Sequence, residues 1–217
     1  DLHSFPTRRS SDLVGATSFF IFSLTLVFSL PLGLGVALIR MSPNHVLRSL
    51  TRGYISVMRG TPLMLQLLVV YFSPYYLLRI RLSPDYRFWA VIIAFVLNYA
   101  AYFAEIYRGG IESVPRGQRE AAEILGYTKS QAFLRIILPQ VVKTILPSVT
   151  NEIITLIKDT SIAFAIAVSE MFTVAKAIAS SEKTMLSYAI AGLFYYVFNF
   201  IVAAVMERLE KKLNFIR

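Results

Sequence analysis

The 217-residue sequence contains no cysteine, so disulfide bonds, thiol catalysis and thiolate metal sites are excluded for this chain. Its two histidines, His3 and His45, lie far apart, so we expect no histidine-based metal site within one chain. The nucleotide-binding pattern GxxxxGK[ST] is also absent. We therefore predict no catalytic residue, no metal and no cofactor bound by this chain, and we do not expect it to be an enzyme.

Charge is scarce as well. Charged residues make up 16% of the chain and hydrophobic residues 56%, with a mean hydropathy of +0.59, whereas soluble domains carry about 25% charged residues. The net charge of +9 would suggest nucleic-acid binding in a soluble protein. Here the basic residues flank long apolar segments, which is typical of membrane topology. We predict an all-α integral membrane protein that contacts lipid and not nucleic acid.

Residues 1–13 differ in character from the rest of the chain, because they are polar, rich in serine and arginine, and without helical periodicity. They lack the apolar core of a signal peptide. The stretch resembles the translated adapter tails found on some assembled genes. We expect it to be a non-native tail, and residues 14–217 to form a single transmembrane domain.

Five apolar segments are long enough to be read as crossings of a membrane. They run approximately over residues 14–39, 54–78, 88–104, 140–158 and 184–206. Residues 40–60, which follow the first segment, carry four arginines and no acid, and the C-terminal tail is basic, so both should face the cytoplasm. The prediction is about five transmembrane helices with the N-terminus outside and the C-terminus inside.

Two segments contain polar breaks. Thr61 and Pro62 suit the N-cap and first position of a helix that restarts there. Gln66 either bonds neighbouring helices or contacts substrate, and the first reading is favoured. At residues 158–161 we predict a second break, where Asp159 or Thr160 caps a new helix that is short for a full crossing.

A polar, patterned loop at about residues 113–139 separates the third and fourth segments. Its marked positions are Glu120, Ala121, Ala122, Gly126, Ile136, Leu138 and Pro139. Gly126 suits the left-handed residue that ends a helix, and Thr128 with Gln131 has capping-box spacing. Pro139 predicts the next boundary, because proline restricts the residue before it. Two short helices outside the bilayer would make a docking surface for another protein.

This loop resembles the EAA loop of ABC importer permeases, in which Glu-Ala-Ala, a glycine and Ile-x-Leu-Pro recur at this spacing. Three further stretches resemble the polar amino-acid branch of that family, namely residues 59–67, 98–126 and 151–161. The resemblance covers roughly residues 14–212. It implies the type I importer fold, a multi-pass location in the bacterial inner membrane, and import of a polar amino acid.

The resemblance also implies partners. These are a cytosolic dimer of ABC ATPases that binds ATP and Mg, a second permease that is identical or homologous, and an extracytoplasmic solute-binding protein. The marked loop residues would then couple this chain to the ATPase. Alternating access, driven by nucleotide-dependent closure of the ATPases, would move the substrate without covalent chemistry in this chain.

Six polar residues in the apolar segments are candidates for the substrate pathway. They are Asn98, Glu105, Glu152, Lys158, Asp159 and Thr160. A helix beginning at the second break would direct its N-terminal amides at a substrate carboxylate, and an acid elsewhere would take the ammonium. The structural alternatives are an ion pair of Glu105 with Arg108, and pairing of Lys158 and Asp159 with each other or with Glu152.

Two functions from other classes remain open at this point. An ion-coupled secondary transporter or channel could relay protons through the intramembrane charged residues, although such folds usually show paired repeats. A membrane scaffold could use the loop only to recruit a partner. Copurification with an ATPase distinguishes the first of these, and ATP-dependent uptake into vesicles distinguishes the second.

Overall fold

A computed structural model describes the backbone of residues 8–214 and the side chains of residues 16–212. Every element in this part of the chain is a helix. The α-helices are α1 Arg8–Arg40, α2 His45–Gly60, α3 Leu63–Leu78, α4 Tyr86–Ser113, α5 Arg116–Ile124, α6 Lys129–Ala132, α7 Leu138–Asp159, α8 Met171–Glu182 and α9 Leu186–Asn214. Residues 1–7 of the predicted tail lie outside the described residues, whereas residues 8–13, predicted to lack helical character, form the start of α1.

Four helical stretches are long and apolar enough to cross a membrane. They are Ala16–Arg40, Tyr86–Ser113, Lys129–Ile166 and Leu186–Lys212. The pair α2 and α3 passes the same test together but bends by 112° at its break. Counted as one crossing, this pair gives the five predicted spans. The prediction of an all-α membrane fold is confirmed.

Helix α4 is the centre of the packing. Its side chains Phe95, Tyr99 and Phe103 are fully buried against α1, α3 and α7. A Cβ on Gly33 of α1 would lie 2.8 Å from Phe103 Cβ, so glycine is what allows the two backbones to approach. Gly35, two residues later in the same helix, has open space around it.

The bend between α2 and α3 is held by side-chain amides. Gln66 Nε2 donates to the carbonyls of Met58 (2.8 Å) and Thr61 (3.1 Å), and Asn98 of α4 donates to Met58 O and to Gln66 Oε1. These bonds satisfy carbonyls that the end of α2 leaves unpaired. The predicted restart is confirmed, but the N-cap position is Pro62, and the Thr61 hydroxyl donates back to Val57 O.

The patterned loop forms the predicted pair of short helices. Gly126 has a φ of 78°, the left-handed conformation expected after α5. Thr128 accepts from Gln131 N at 3.3 Å, and Thr128 N donates to Gln131 Oε1 at 3.0 Å, so both halves of the predicted capping box are present.

The boundary predicted at Pro139 is present as a change of helix type, since Pro139 lies in the first turn of α7, but the chain stays helical across it. A π-helical turn over Phe133–Ile137 joins α6 to α7, and Leu138 is right-handed helical. In an α-helix the Pro139 ring would meet the carbonyl of Arg135, four residues earlier. The widened π turn at that point accommodates the ring and the missing N–H.

The second break was also predicted too early. Asp159 and Thr160 keep right-handed helical dihedrals, and a 3₁₀ helix over Thr160–Ile166 continues α7. The chain turns only at Ala167, whose φ is 56°. Neither Asp159 nor Thr160 caps a helix, so no helix N-terminus is available there to receive a substrate carboxylate. Buried apolar residues within 160–166 favour the continued helix.

Candidate functional site

A cavity of about 310 Å³ lies where the bend between α2 and α3 meets α4 and α7. It is lined by Thr61, Pro62, Leu63, Asn98, Tyr99, Tyr102, Glu152, Thr155 and Asp159. Three of the six predicted pathway residues, Asn98, Glu152 and Asp159, are therefore brought together here. The bend contributes Thr61, Pro62 and Leu63 to the lining, and the other polar residues come from α4 and α7.

Two carboxylates face this cavity from the same side of α7. Glu152 and Asp159 are seven residues apart, which places them on one helix face two turns from each other. Asp159 Oδ2 accepts a hydrogen bond from Tyr99 O–H at 2.7 Å. Within the described side chains Glu152 has no hydrogen bond and no ion-pair partner within 4 Å. This wall of the cavity can bind a cationic group.

Asn98 is 5% exposed and is largely committed to the fold. Its amide group donates to Met58 O at 3.1 Å and to Gln66 Oε1 at 2.9 Å, which uses both N–H bonds. Only its Oδ1 remains as an acceptor for a ligand. Asn98 therefore both holds the bend and lines the cavity.

Glu105 lies outside the cavity lining, in an ion cluster nearby. It is 2.6 Å from Arg108 and 4.0 Å from Arg59. The Arg59 guanidinium sits 5.3 Å from the centroid of the Tyr102 ring, which does line the cavity. The ion pair that the sequence offered as the structural alternative is thus formed, and Arg59 places a positive group beside the site.

Lys158 and Thr160 are not brought into the cavity. Lys158 is exposed, and Thr160 is 1% exposed with its hydroxyl donating to Ile157 O at 2.8 Å. That bond satisfies a backbone acceptor where α7 passes into the 3₁₀ helix.

The patterned loop presents apolar side chains to the outside. Ile124 and Leu125 at the end of α5 are 86% and 72% exposed, whereas Ala122 is buried against the loop itself. Large exposed apolar residues on a compact, polar helix pair are typical of a protein contact surface. The sequence marked Glu120 and Ala121, which are exposed on the same helix, but not these two side chains.

Comparison with known proteins identifies the architecture. Residues 29–215 match the family model described as the binding-protein-dependent transport system inner membrane component. The chain belongs to this family. It is a multi-pass membrane protein of the ABC importer permease type.

Individual relatives agree with this membership. The octopine transport system permease protein of Rhizobium radiobacter is 40% identical over 85% of this chain and 79% of its own length. The L-cystine transport system permease protein of Bacillus subtilis is 37% identical over 88% and 81%. The arginine transport system permease protein of the same species is 36% identical over 88% and 86%.

Solved structures show the same fold. An amino acid ABC transporter solved with histidines matches with a TM-score of 0.83 and 31% identity over 92% of both chains. The MetNI methionine ABC transporter matches with a TM-score of 0.70 at 15% identity, covering 94% of each chain, and supports the fold alone. The predicted membership of the ABC permease family, with its type I importer fold, is confirmed.

Sequence reasoning missed several residues that line the cavity of this permease. Thr155 lies three residues after Glu152 and four before Asp159, so helical spacing alone would have found it. Tyr102 lies four residues after Asn98, so the two side chains share a face of α4. Nothing in the sequence pointed to Tyr99, because an aromatic residue in an apolar segment is expected to be a core residue. Its hydroxyl donates to Asp159, which lies sixty residues away in the sequence.

A further buried acid was not among the residues predicted from the sequence. Glu170 is 0% exposed and caps α8, where its carboxylate accepts from Phe172 N (2.8 Å) and Thr173 N (2.7 Å). The hydroxyls of Thr173 (3.0 Å) and Tyr195 of α9 (2.9 Å) also donate to it. Glu170 lies between the candidate spans, and burial raises the pKa of its carboxyl while these donors oppose the rise.

Proposed function

We propose that this chain is the permease subunit of an ATP-driven importer that moves a polar amino acid across the bacterial inner membrane. The observation that carries the proposal is the pair of carboxylates, Glu152 and Asp159, facing one cavity between membrane helices. Permeases of octopine, L-cystine and arginine transport systems among the relatives support this substrate class.

The cavity suits the two ends of an amino acid. The substrate ammonium lies between Glu152 and Asp159, since charge-assisted hydrogen bonds to carboxylates are strong in a partly dehydrated site. The substrate carboxylate is directed toward Arg59, which stands beside the Tyr102 ring. Tyr99 holds Asp159 in place through its 2.7 Å hydrogen bond. Lys158 and Thr160 support this wall from outside the cavity.

Coupling to ATP takes place at the patterned loop. Glu120, Ala121 and Ala122 form the helix that contacts the ATPase, and Gly126 ends it. Ile136, Leu138 and Pro139 then join the loop to α7, the helix that carries the cavity carboxylates. This chain binds no cofactor, and ATP and Mg belong to a cytosolic ATPase dimer. A second permease and an extracytoplasmic solute-binding protein complete the importer.

The test is uptake by the complete complex reconstituted in vesicles, with a panel of labelled amino acids and with or without ATP. Glu152→Gln and Asp159→Asn keep the side-chain shape and remove one charge each. We expect the substrate concentration for half-maximal stimulation of ATPase activity to rise about tenfold or more for each, the usual magnitude of a hydrogen bond to a charged group. Glu182→Gln, an exposed acid on α8, is the matched control and should leave it unchanged.

Two results would count against the proposal. Uptake that does not depend on ATP but tracks an ion gradient would favour a secondary transporter. Unchanged half-maximal concentration and unchanged amino-acid preference in both cavity variants, with less assembled protein, would assign Glu152 and Asp159 a structural role only.

The proposed role of the loop in coupling is tested separately, by substituting two of its glycines. Gly126→Ala forces a Cβ into the left-handed conformation, which costs about 1 kcal/mol, whereas Gly117→Ala adds a Cβ within α5 where space is open. We expect ATP-driven uptake to fall in the first variant and not in the second, with normal membrane insertion in both. Equal uptake by the two variants would remove Gly126 from the coupling surface.

A further inference from the structure

A second, larger cavity lies at the opposite end of the ion cluster, where α1 ends and α2 begins. Its volume is about 630 Å³, and four arginines line it, Arg40, Arg48, Arg52 and Arg108, against the single acid Glu112. Neither the substrate cavity nor the coupling loop accounts for this concentration of positive charge. A cavity of this kind attracts an anion.

The arginines of this basic cavity differ in how they are paired. Arg108 is neutralised by Glu105 at 2.6 Å and Glu112 at 2.5 Å. Arg40, Arg48 and Arg52 form no ion pair with any acid among the described side chains. Three guanidinium groups therefore keep their full charge beside one cavity.

The surroundings of Arg40 and Arg48 add detail to the basic cavity. Arg40 Nε is buried and has no acceptor among the described residues, which is costly for a charged donor. Arg48 lies 2.6 Å from His45 Nδ1, and because a guanidinium only donates, the imidazole is the acceptor. That contact orients Arg48 without reducing its charge.

The start of α2 adds to the positive potential. Asn44 caps the helix by accepting from Val46 N and Leu47 N, and its first turn contains no acid. The partial positive charge of the helix N-terminus is therefore not compensated by a side chain. Arg48 and Arg52, one turn apart, extend from this end along one face.

Exposed apolar side chains lie next to the basic cavity at the end of α1. Met41 lines the cavity and is 38% exposed, and Leu38 and Ile39, which precede Arg40 in a candidate membrane span, are exposed as well. A basic cavity next to exposed apolar surface, at the end of a membrane span, matches the two parts of a phospholipid. A free anion or an acidic protein surface would have no use for the apolar border.

We propose that this basic cavity binds the phosphate of an anionic phospholipid from the cytoplasmic leaflet. Arg40, Arg48 and Arg52 hold the phosphate oxygens, and the acyl chains lie against the exposed apolar residues at the end of α1. The site is separate from the substrate cavity and does not depend on the substrate proposed above.

The test measures lipid retention by the purified, delipidated transporter complex, using native mass spectrometry with added phosphatidylglycerol. Arg48→Gln combined with Arg52→Gln should weaken retention about tenfold or more, because two of the basic residues that attract a charged headgroup are lost. The matched control is Arg208→Gln with Lys212→Gln, which removes two exposed charges at the same spacing on α9. This control should retain the lipid as the wild type does.

Two further measurements distinguish the possible ligands. Phosphatidylcholine with the same acyl chains should not be retained, and inorganic phosphate at the same concentration should not displace phosphatidylglycerol. Displacement by inorganic phosphate would overturn the lipid assignment in favour of a free anion. Loss of the ATPase subunit from the double variant, with unchanged lipid retention, would overturn it in favour of a protein contact.

A milder double variant serves as the control for correct membrane insertion of the glutamine double variant. Arg48→Lys combined with Arg52→Lys keeps the charge but loses the forked donor geometry that matches phosphate. We expect retention between that of the wild type and the glutamine variant. Retention equal to the wild type in both the lysine and the glutamine variants would refute the site.

Discussion

Two groups of buried acids in this permease behave in opposite ways. Glu170, at the start of α8, is fully enclosed and its carboxylate receives four hydrogen bonds from three residues. Glu152 and Asp159, on α7, share a cavity, and among the described side chains only Tyr99 donates to either of them. The first acid has its full complement of partners, whereas the other two retain acceptor capacity.

The difference separates a carboxylate whose acceptor capacity is used within the fold from two carboxylates that can still accept hydrogen bonds. A buried charge is tolerated when donors surround it, and such a group has nothing left to offer a ligand. A half-buried carboxylate that faces a cavity with few donors can gain by binding a cation. Hydrogen-bond satisfaction therefore distinguishes the roles better than burial or position in an apolar segment does.

Removing Glu170 should have the largest effect on stability. Glu170→Ala removes the cap of α8 and takes the acceptor from the amides of Phe172 and Thr173 and from the Tyr195 hydroxyl, which should cost roughly 2–4 kcal/mol; the Thr173 hydroxyl keeps Val168 O as an acceptor. We expect a clearly lower thermal unfolding midpoint of the detergent-solubilised complex, measured by loss of the monodisperse peak in size exclusion. The surviving fraction should keep its substrate affinity.

The exposed acid Glu182, at the other end of the same helix, provides the control for this change. Glu182→Ala should unfold at the wild-type temperature. A normal midpoint for Glu170→Ala, together with altered substrate affinity, would reverse the roles assigned to the two acid sites.

Asn98 belongs to both categories, so its removal should give a smaller, mixed effect. Asn98→Ala leaves Gln66 Oε1 without its donor, whereas Met58 O keeps Gln66 Nε2, and the loss should cost roughly 1–3 kcal/mol. The half-maximal substrate concentration should change less than in Glu152→Gln, because both Asn98 N–H bonds serve the fold. Asn151→Ala, on an exposed face of α7, should change neither quantity.

The smallest expected effect is a pH dependence of stability. Because burial raises the pKa of Glu170 in the folded state, its contribution is fully present below the unfolded pKa, about 4.3 for glutamate, and is lost as pH rises through the folded value. We expect the unfolding midpoint of the wild type to fall over that window relative to Glu170→Gln. Parallel pH profiles of the two proteins would show that the four donors outweigh burial.

Much of the fold could be predicted from local pattern alone. Segment length and charge distribution predicted the spans, and residue type and spacing predicted the φ of Gly126 and the Thr128–Gln131 box. These features depend on neighbours within a few residues. The same is true of the bend after Thr61, although its cap position was displaced by one residue.

The errors came from tertiary effects. Pro139 and Asp159 were expected to interrupt helices, but a π turn and a 3₁₀ extension carry the chain through both places. Whether a helix tolerates such a residue depends on packing that local propensity does not encode. The cavity was predicted in part, since Glu152 and Asp159 share a helix face, whereas Tyr99 depends on a contact between α4 and α7.

The uninterrupted stretch Lys129–Ile166 has a mechanical consequence. Its 38 residues form one continuous helical stretch. The first turns of this stretch belong to the patterned loop, and its later part carries Glu152 and Asp159. Glu152 lies ~35 Å from Lys129 along this helical stretch, at a rise of about 1.5 Å per residue. A displacement of the loop would therefore pass along this helix to the carboxylates, and the π turn and Pro147, which both lie between them, are the places where the helix would bend.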